Sequence, residues 1–234
     1  MRWLTGPDAD DGRFAHLQLR ARESVLDVND GIVSAAGIAE GFASAGASTN
    51  TLAVAGMATI IAGGLALAGA RYTEVLTEWE MNRALIEAEA ERIAADPAGE
   101  FEELVGLYEQ KGLDADLARQ VATALTARDP VAAHADVELN LDALDSTSGA
   151  ATAAAISGLS YAAGAALPLL AILTLPASAR ALATFGAVLV ALVITGWFAA
   201  RLTGLSTLKI VGRNVLLGGA TMAVSLLIGV FLDL

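Results

Sequence analysis

The stretch VLDVNDGIVSAAGI, residues 25–38, begins a long apolar run but carries three polar side chains near its start, Asp27, Asn29 and Asp30. Asn-Asp-Gly ordinarily marks a turn. The apolar run nevertheless continues to residue 48, and about 20 apolar residues are enough for a helix to cross a bilayer. The stretch therefore predicts a membrane helix with ionisable residues, which usually mark the path of an ion or a proton.

The composition is typical of a membrane protein. Of the 234 residues, 55% are hydrophobic and only 17% are charged, which is too apolar for an ordinary soluble domain. Five apolar segments are long enough to span a bilayer, and they cover residues 25–48, 51–72, 149–175, 178–200 and 207–232. We therefore predict an all-α membrane protein with five transmembrane helices.

The lysine and arginine residues predict how these helices are oriented. With the N-terminus inside, 13 of the 14 basic residues lie on the inner side and only Arg180 lies outside, as the positive-inside rule requires. This topology predicts a cytoplasmic N-terminal tail (1–22), transmembrane helices 1 and 2 (23–72), a cytoplasmic helical domain (73–146) and transmembrane helices 3 to 5 (147–234).

The predicted cytoplasmic domain is acidic and helical. Residues 71–146 hold 18 of the 26 acidic residues but 6 of the 14 basic ones, a balance that disfavours nucleic-acid binding. The second membrane helix continues into this domain without a Gly or Pro break, for about 45 residues in all. Asp96-Pro97 and Asp129-Pro130 then predict helix starts, and Gly112 predicts a helix end.

Two of the shorter predicted helices have an apolar face at helical spacing. In the first, this face consists of Phe101, Leu104, Val105 and Tyr108, and in the second of Leu117, Val121 and Leu125. We therefore expect about three short helices packed on the extended one.

Acidic side chains crowd two of these helices and are joined by a histidine. They are Glu87, Glu89 and Glu91, then Glu100, Glu102 and Glu103, and finally His134 with Glu138 one turn later. One interpretation is a solvated helix face. The other is a site for a divalent cation, because like charges this close repel and carboxylates with an imidazole suit Mn²⁺, Fe²⁺ or Zn²⁺.

Asp30 is the first candidate for an ion site within the membrane. It lies five residues into the apolar run, about 7 Å deep at ~1.5 Å per residue, and Gly31 is expected to leave space beside it. Asp27 shares its face and is either part of the path or an interfacial capping acid. Known catalytic motifs such as His-Glu-x-x-His and Gly-x-Ser-x-Gly are absent from the sequence, so we expect neither an enzyme nor a bound cofactor.

Several stretches together resemble the vacuolar iron transporter family, which includes the vacuolar iron importers of yeast and plants and many bacterial members. These stretches are VNDGIVSAAGI, AGGLALAGARY, ADPAGEFEELVGLYEQKGLDADLARQVATAL, HADVELNL and GAALPLL, and their order and spacing also match. The resemblance implies five transmembrane helices, a homodimer, and export of Fe²⁺, often with Mn²⁺, from the cytosol in exchange for protons. It also implies an integral protein of a bacterial cell membrane.

The resemblance assigns residues as well. It places Asp30 in the ion path, with Asn29 and Asp27 beside it. It implies cytoplasmic metal ligands at Glu89, Glu100, Glu103 and Glu138, with Glu87 and Glu91 adjacent, and with His134 where some members have methionine. Fe²⁺ or Mn²⁺ is then the transported ion and not a resident cofactor.

The sequence departs from the family pattern at three positions. Leu67 and Arg71 stand where a methionine and a glutamate are common, and Arg92 stands where another acid is often found. Arg71 is either an anchor at the membrane interface or part of the path, where it would repel a cation unless an acid such as Asp27 or Glu74 paired with it. A divergent, non-transporting member that binds metal at the membrane, and a transporter of a different cation, are the alternatives.

Overall fold

The computed structural model describes residues 9–138 and 148–232, and the side chains of residues 9–17, 19, 148 and 177–181 also lie outside this description. Within the described residues the chain forms eight helices and no strand: α1 (Ala9–Ser44), α2 (Thr49–Ala95), α3 (Pro97–Gln110), α4 (Ala115–Thr126), α5 (Pro130–Val137), α6 (Ser148–Thr174), α7 (Ala177–Thr203) and α8 (Thr207–Leu232). The all-α prediction is confirmed. The first eight residues of the predicted tail, and residues 139–147 of the predicted cytoplasmic domain, lie outside the described residues.

The chain divides into two compact units. The first unit consists of Met1–Arg71 and Thr152–Leu234, and the second consists of Tyr72–Ala151. Helix α2 contributes its first part to one unit and its last part to the other, and at 47 residues it continues without a break as the sequence predicts.

Within the described residues, four helices are long and apolar enough to cross a membrane. These four are α2 and the stretches Gly149–Thr174, Leu182–Thr203 and Thr207–Leu232. Helix α1 is not among them, because its last 18 residues carry three acids, Asp27, Asp30 and Glu40. The fifth transmembrane helix therefore stays a prediction.

Helix α1 packs against all four of these helices. Ile32 and Ala36 are buried in one cluster with residues of α7 and α8, including Leu192 and Met222. Other positions of α1 pack against α6 and α2, as Ala35 does with Tyr161 and Ile60, and Ala39 with Leu52 and Ile172. The core of the first unit is therefore built around α1.

Glycines allow the backbone of α1 to approach its neighbours closely. A Cβ at Gly31 would overlap the carbonyl oxygen of Tyr161 on α6, and a Cβ at Gly164 on α6 would overlap the carbonyl oxygen of Val28. The space that we expected Gly31 to leave beside Asp30 is thus filled by α6, because the two backbones cross at this point. Gly37 and Gly41 lie against Ser225 of α8.

In the second unit, three short helices enclose a small core. Leu104 and Val105 of α3 pack with Ala118 and Ala122 of α4 and with Ala133 of α5. The predicted apolar face of α4 is confirmed at Leu125, which packs against this core. It is wrong at Leu117, which is 46% exposed whereas Ala118 and Ala122 are fully buried. Small alanine side chains lie at the interface because they let the helices approach more closely than leucine would.

Aspartates begin all three short helices. The side chains of Asp96, Asp114 and Asp129 each accept a hydrogen bond from the backbone N–H three residues later, at 2.9–3.0 Å, which satisfies a donor that the helix itself leaves open. Gly112 has a φ of 98° and ends α3, a conformation that glycine adopts without strain. The starts predicted at Asp96 and Asp129 and the end predicted at Gly112 are therefore confirmed.

Candidate functional site

In the second unit, three helices bring acidic side chains around one histidine. Glu89 lies on α2, Glu100 in the first turn of α3, His134 on α5, and Glu138 at the C-terminal end of α5. Glu89 is fully buried and His134 is 2% exposed. Acidic residues are almost never fully buried unless they are paired, so Glu89 requires a specific partner.

One carboxylate oxygen from each of the three glutamates lies close to the imidazole of His134. Its Nδ1 atom lies 3.1 Å from Oε1 of Glu89, 3.8 Å from Oε2 of Glu138 and 4.0 Å from Oε2 of Glu100. Each of these four atoms is buried without a hydrogen bond. Ligand atoms of Glu89, Glu100 and His134 all lie within 4.8 Å of one another. Orphaned polar atoms are costly when buried, and a shared cation would satisfy all of them together.

Helix periodicity explains why Glu89 points into this cluster. Residues two apart on a helix lie on nearly opposite sides, so Glu87 and Glu91 point away when Glu89 points inward. The structure leaves both of them exposed, and Glu87 pairs instead with Arg83 at 2.8 Å. Glu103 is exposed as well. These three predicted ligands are not brought into the cluster.

A permanent cation lies beside the cluster. The guanidinium of Arg92 donates to Oε2 of Glu89 and lies 3.3 Å from Oε1 of Glu138. These contacts, first of all the hydrogen bond to Glu89, hold the pKa of Arg92 above its ordinary value. Arg92 thus occupies one oxygen of each carboxylate and leaves the other oxygen free to face His134.

The charges of this arrangement match those of a divalent ion. Three carboxylates and one guanidinium give a net charge of −2 when the imidazole is neutral, as a metal ligand must be. One divalent cation would neutralise it. Carboxylate oxygens with one imidazole nitrogen form a donor set suited to Mn²⁺, Fe²⁺ or Zn²⁺. From the sequence, Arg92 was identified only as a departure from a family pattern. Its i,i+3 spacing from Glu89 could have indicated the ion pair between these two residues.

In the first unit, two of the three predicted path residues make hydrogen bonds between helices. Asp27 accepts a bond from the hydroxyl of Ser157 on α6 at 2.7 Å, and Asn29 accepts one from the hydroxyl of Thr195 on α7 at 2.8 Å. The polar start of the apolar run therefore ties α1 to two neighbouring helices. The sequence alone did not indicate Ser157 or Thr195, because hydroxyls are common in membrane helices.

Asp30 has a different position, on the exposed side of α1. Leu26, Ile38 and Phe42 lie on the same side at helical spacing and are 40%, 39% and 45% exposed. Asp30 is itself exposed within a single chain. A carboxylate therefore lies on a helix face that is apolar apart from the half-buried Ser34.

Arg71 and Leu67, the two residues of α2 that depart from the family pattern, both contact neighbouring helices. Arg71 forms an ion pair with Glu23 of α1, an acid one turn before Asp27. We expected an acid such as Asp27 or Glu74 as its partner, and Glu23 was not considered. Leu67 packs against the buried cluster that contains Tyr161, so it serves as an apolar contact between α2 and α6.

Comparisons with known proteins identify the family of this chain. The sequence matches the VIT family over residues 21–230. It is 37% identical over 120 residues to a protein of Acanthamoeba castellanii named vacuolar iron transporter, an alignment that covers 51% of this chain and 43% of that protein. It is 29% identical over 187 residues to vacuolar iron transporter 1 of Oryza sativa subsp. japonica, covering 78% of this chain and 73% of the rice protein. The chain thus matches less than half the length of the amoebal relative.

The family match covers far more than half of the sequence, so this chain belongs to the VIT family. With its long apolar helices, it is an integral membrane protein and, as expected, not an enzyme.

Proposed function

We propose that the chain is a transporter of divalent metal ions, with Fe²⁺ and Mn²⁺ as its substrates. Both relatives are named vacuolar iron transporters. The observation that carries the proposal is the set of four buried donor atoms around His134, which make no hydrogen bonds. A protein that only needed these helices to pack would not retain polar atoms at this cost.

The cluster of Glu89, Glu100, His134 and Glu138 is the site that collects an ion before transport. Its net charge of −2, after the contribution of Arg92, suits a single divalent ion. By the distribution of Lys and Arg, the second unit faces the cytosol, so the collected ion comes from the cytosol and the transport is export.

Helix α1 is the fifth transmembrane helix in this proposal. It packs against α2, α6, α7 and α8, and a helix packed against four membrane-spanning helices lies within the membrane itself. Its acids make it less apolar than the other four helices, and acidic residues within a membrane usually mark the path of an ion or a proton.

Asp30 is the ion-binding residue of the membrane part, and a second copy of the chain covers it. A carboxylate that faced lipid would cost several kcal/mol. The apolar side of α1 that carries Asp30 suits a homodimer in which the aspartates of both copies face an ion between them. Asp27 and Asn29 hold α1 in place beside it through Ser157 and Thr195.

Proton exchange drives the export. A carboxylate can serve both ions, because a proton and a metal compete for the same oxygen atoms. Protons that bind from the far side of the membrane displace the metal from Asp30 and return to the cytosol.

Metal flux into proteoliposomes that contain a metal-sensitive dye tests this function. We expect Fe²⁺ and Mn²⁺ flux with the full chain, loss of flux with Asp30→Ala, and retained flux with the matched variant Leu26→Ala, one turn earlier on the same face. Absence of flux, or unchanged flux in Asp30→Ala, would contradict the proposal.

One observation favours a second candidate, a member that binds metal at the membrane without transporting it. Arg71 stands where the resemblance leads us to expect a glutamate, and it pairs with Glu23 close to the polar start of α1. This candidate predicts metal binding by the full chain without flux. It also predicts that flux appears when Leu67→Met is combined with Arg71→Glu.

A further inference from the structure

A second carboxyl group lies buried in the first unit, ten residues after Asp30 on α1. Glu40 is 4% exposed, and its Oε2 atom is buried without a hydrogen-bond partner. It follows Ala36 by one turn, and Ala36 packs in the cluster that contains Val188 and Met222. The side chain of Glu40 therefore extends from the face of α1 that meets α7 and α8.

The register of the helices identifies the groups at the same level as Glu40. Helices α1 and α7 are antiparallel. Asn29 accepts a hydrogen bond from Thr195, and Ala36, further along α1, packs in one cluster with Val188, which is earlier in α7. One turn further along α1 and one turn back along α7, Glu40 comes to the level of Thr184. Thr184 is fully buried, and its hydroxyl also lacks a partner.

On α8, Ser225 lies at this level, because it packs against both Gly37 and Gly41 of α1. Glu40 thus has two hydroxyl-bearing residues near its level, and it lies beside apolar side chains.

Opposite charges are far from Glu40 in the described part of these helices. On α7 and α8 the charged residues are Arg201, Lys209 and Arg213, and on the membrane part of α2 the charged residue is Arg71. The first three lie at the other ends of their helices, Arg71 lies near the middle of α2, 19 residues beyond Leu52, which packs beside Ala39, and α6 carries no charged residue. Arg180, one turn before Thr184, belongs to the residues whose side chains are not described. Among the described side chains no cation lies near Glu40, and an isolated carboxylate in such an apolar interior is strongly disfavoured, so the group takes up a proton instead.

We propose that Glu40 is a proton-binding site of the membrane unit, separate from the metal-binding Asp30. Its carboxyl group holds a proton while α1, α7 and α8 pack as described. When the packing opens and water reaches the group, the O–H bond breaks, the proton passes to water, and the carboxylate remains. Its role as a carrier of the exchanged proton rests on the proposed transport function, whereas its protonation does not.

Infrared spectroscopy of the full chain in lipid tests protonation without any transport. The wild type should show the carbonyl band of a protonated carboxyl group at neutral pH. Glu40→Gln should remove intensity from this band, whereas Asp30→Asn should leave that part of it unchanged. A wild type without the band, or equal intensity in Glu40→Gln, would overturn the proposal.

Metal flux under an imposed pH gradient tests the role in transport. With a gradient of about two pH units, a roughly hundredfold ratio of proton activity, we expect severalfold faster Fe²⁺ flux in the wild type. In Glu40→Gln, flux should continue without this acceleration. Thr184→Val, which keeps the carboxyl group, should keep the acceleration. Normal acceleration in Glu40→Gln would exclude Glu40 as the carrier. If the wild type moves no metal, the transport proposal fails and the infrared result alone decides on proton binding.

Glu40→Leu keeps the proposal testable if the glutamine variant does not fold. Leucine removes the unpartnered oxygens at similar volume, so its melting temperature should equal or exceed that of the wild type. In the infrared test Glu40→Leu should likewise remove intensity from the carbonyl band, and an unchanged band in this variant would contradict the proposal.

Discussion

Nδ1 of His134 lies 3.1 Å from Oε1 of Glu89, while Arg92 binds the other oxygen of the same carboxylate. One oxygen of the Glu89 carboxylate thus binds Arg92, and the other oxygen faces His134. Because Arg92 satisfies only one side of it, Glu89 remains available to an ion on the side of His134. This division is the basis of the first two predictions.

The substitution Glu89→Gln should remove the metal site. It neutralises a fully buried ligand, and we expect the affinity for Mn²⁺ to fall by about 100-fold, the upper end of the loss seen when groups that only support a metal site are removed. Titration of the full chain with Mn²⁺, followed by electron paramagnetic resonance, measures this. Glu109→Gln removes an exposed acid at the end of α3 and should bind normally. Equal affinity in both variants would exclude Glu89 as a ligand.

The substitution Arg92→Gln should have the opposite effect on binding. It changes the charge of the cluster from −2 to −3, so Mn²⁺ affinity should rise by roughly tenfold, about 1.4 kcal/mol. The metal-free protein should melt at a lower temperature, since Glu89 loses its counter-ion, and excess Mn²⁺ should restore it. Arg92→Lys keeps the charge and should resemble the wild type more closely. A lower Mn²⁺ affinity in Arg92→Gln would show that Arg92 supports the site and does not compete with the ion.

The ion pair between Glu102 and Arg119 predicts that the stability of the fold decreases at low pH. Nη1 and Nη2 of Arg119 donate to the two oxygens of the carboxylate, at 2.7 and 2.6 Å, and this hydrogen bonding lowers the pKa of Glu102. A lowered pKa in the folded state stabilises the fold above the ordinary range of glutamate, and this stabilisation is lost as the pH falls through the lowered value.

Thermal unfolding at a series of pH values measures this effect. Glu102→Gln should reduce the loss of stability on the acid side only slightly, because the pair is exposed to solvent. The exposed Glu78→Gln serves as a control and should keep the pH profile of the wild type. A steeper acid loss in Glu102→Gln than in the wild type would contradict the pairing.

The crossing of α1 and α6 predicts a strong effect at one glycine. In Gly31→Ala the new methyl group meets the backbone of α6 at Tyr161, which cannot move aside as a side chain can. We expect a loss of about 3 kcal/mol or more, at or above the upper end for overpacked cores. Gly219→Ala on α8 meets no atom within 4 Å and should be neutral or gain up to about 1 kcal/mol from helix propensity. Thermal unfolding in detergent compares the two, and equal stability would contradict the close crossing.

Local signals in the sequence predicted three boundaries of the short helices. Asp96-Pro97, Gly112 and Asp129-Pro130 act through the backbone of their own segment, so their effects could be read without the rest of the chain. The burial of Ala118 in place of Leu117 depends on how closely α3 and α5 approach α4. Such distances are set by tertiary packing, and the spacing of apolar residues alone does not give them.

The metal cluster was only partly predictable. Helix periodicity separates Glu89 from Glu87 and Glu91, and the half-buried Trp79, Ile86 and Ile93 mark the side of α2 on which Glu89 lies. The pairing of Arg92 with both Glu89 and Glu138 joins residues 46 positions apart in the sequence. Glu40 was overlooked although it lies in the same apolar run as Asp30, and its burial and unpartnered oxygen depend on how α1 packs against its neighbours.

The most direct test of the account is the Fe²⁺ concentration dependence of flux into proteoliposomes, compared between the wild type and Glu89→Gln. If the cluster around His134 collects ions for the membrane path, the variant should be about tenfold slower or more at limiting Fe²⁺, the lower end of the affinity loss expected at a metal site. It should approach the wild-type rate at saturating Fe²⁺. Identical flux at every Fe²⁺ concentration, or no flux even in the wild type, would contradict it.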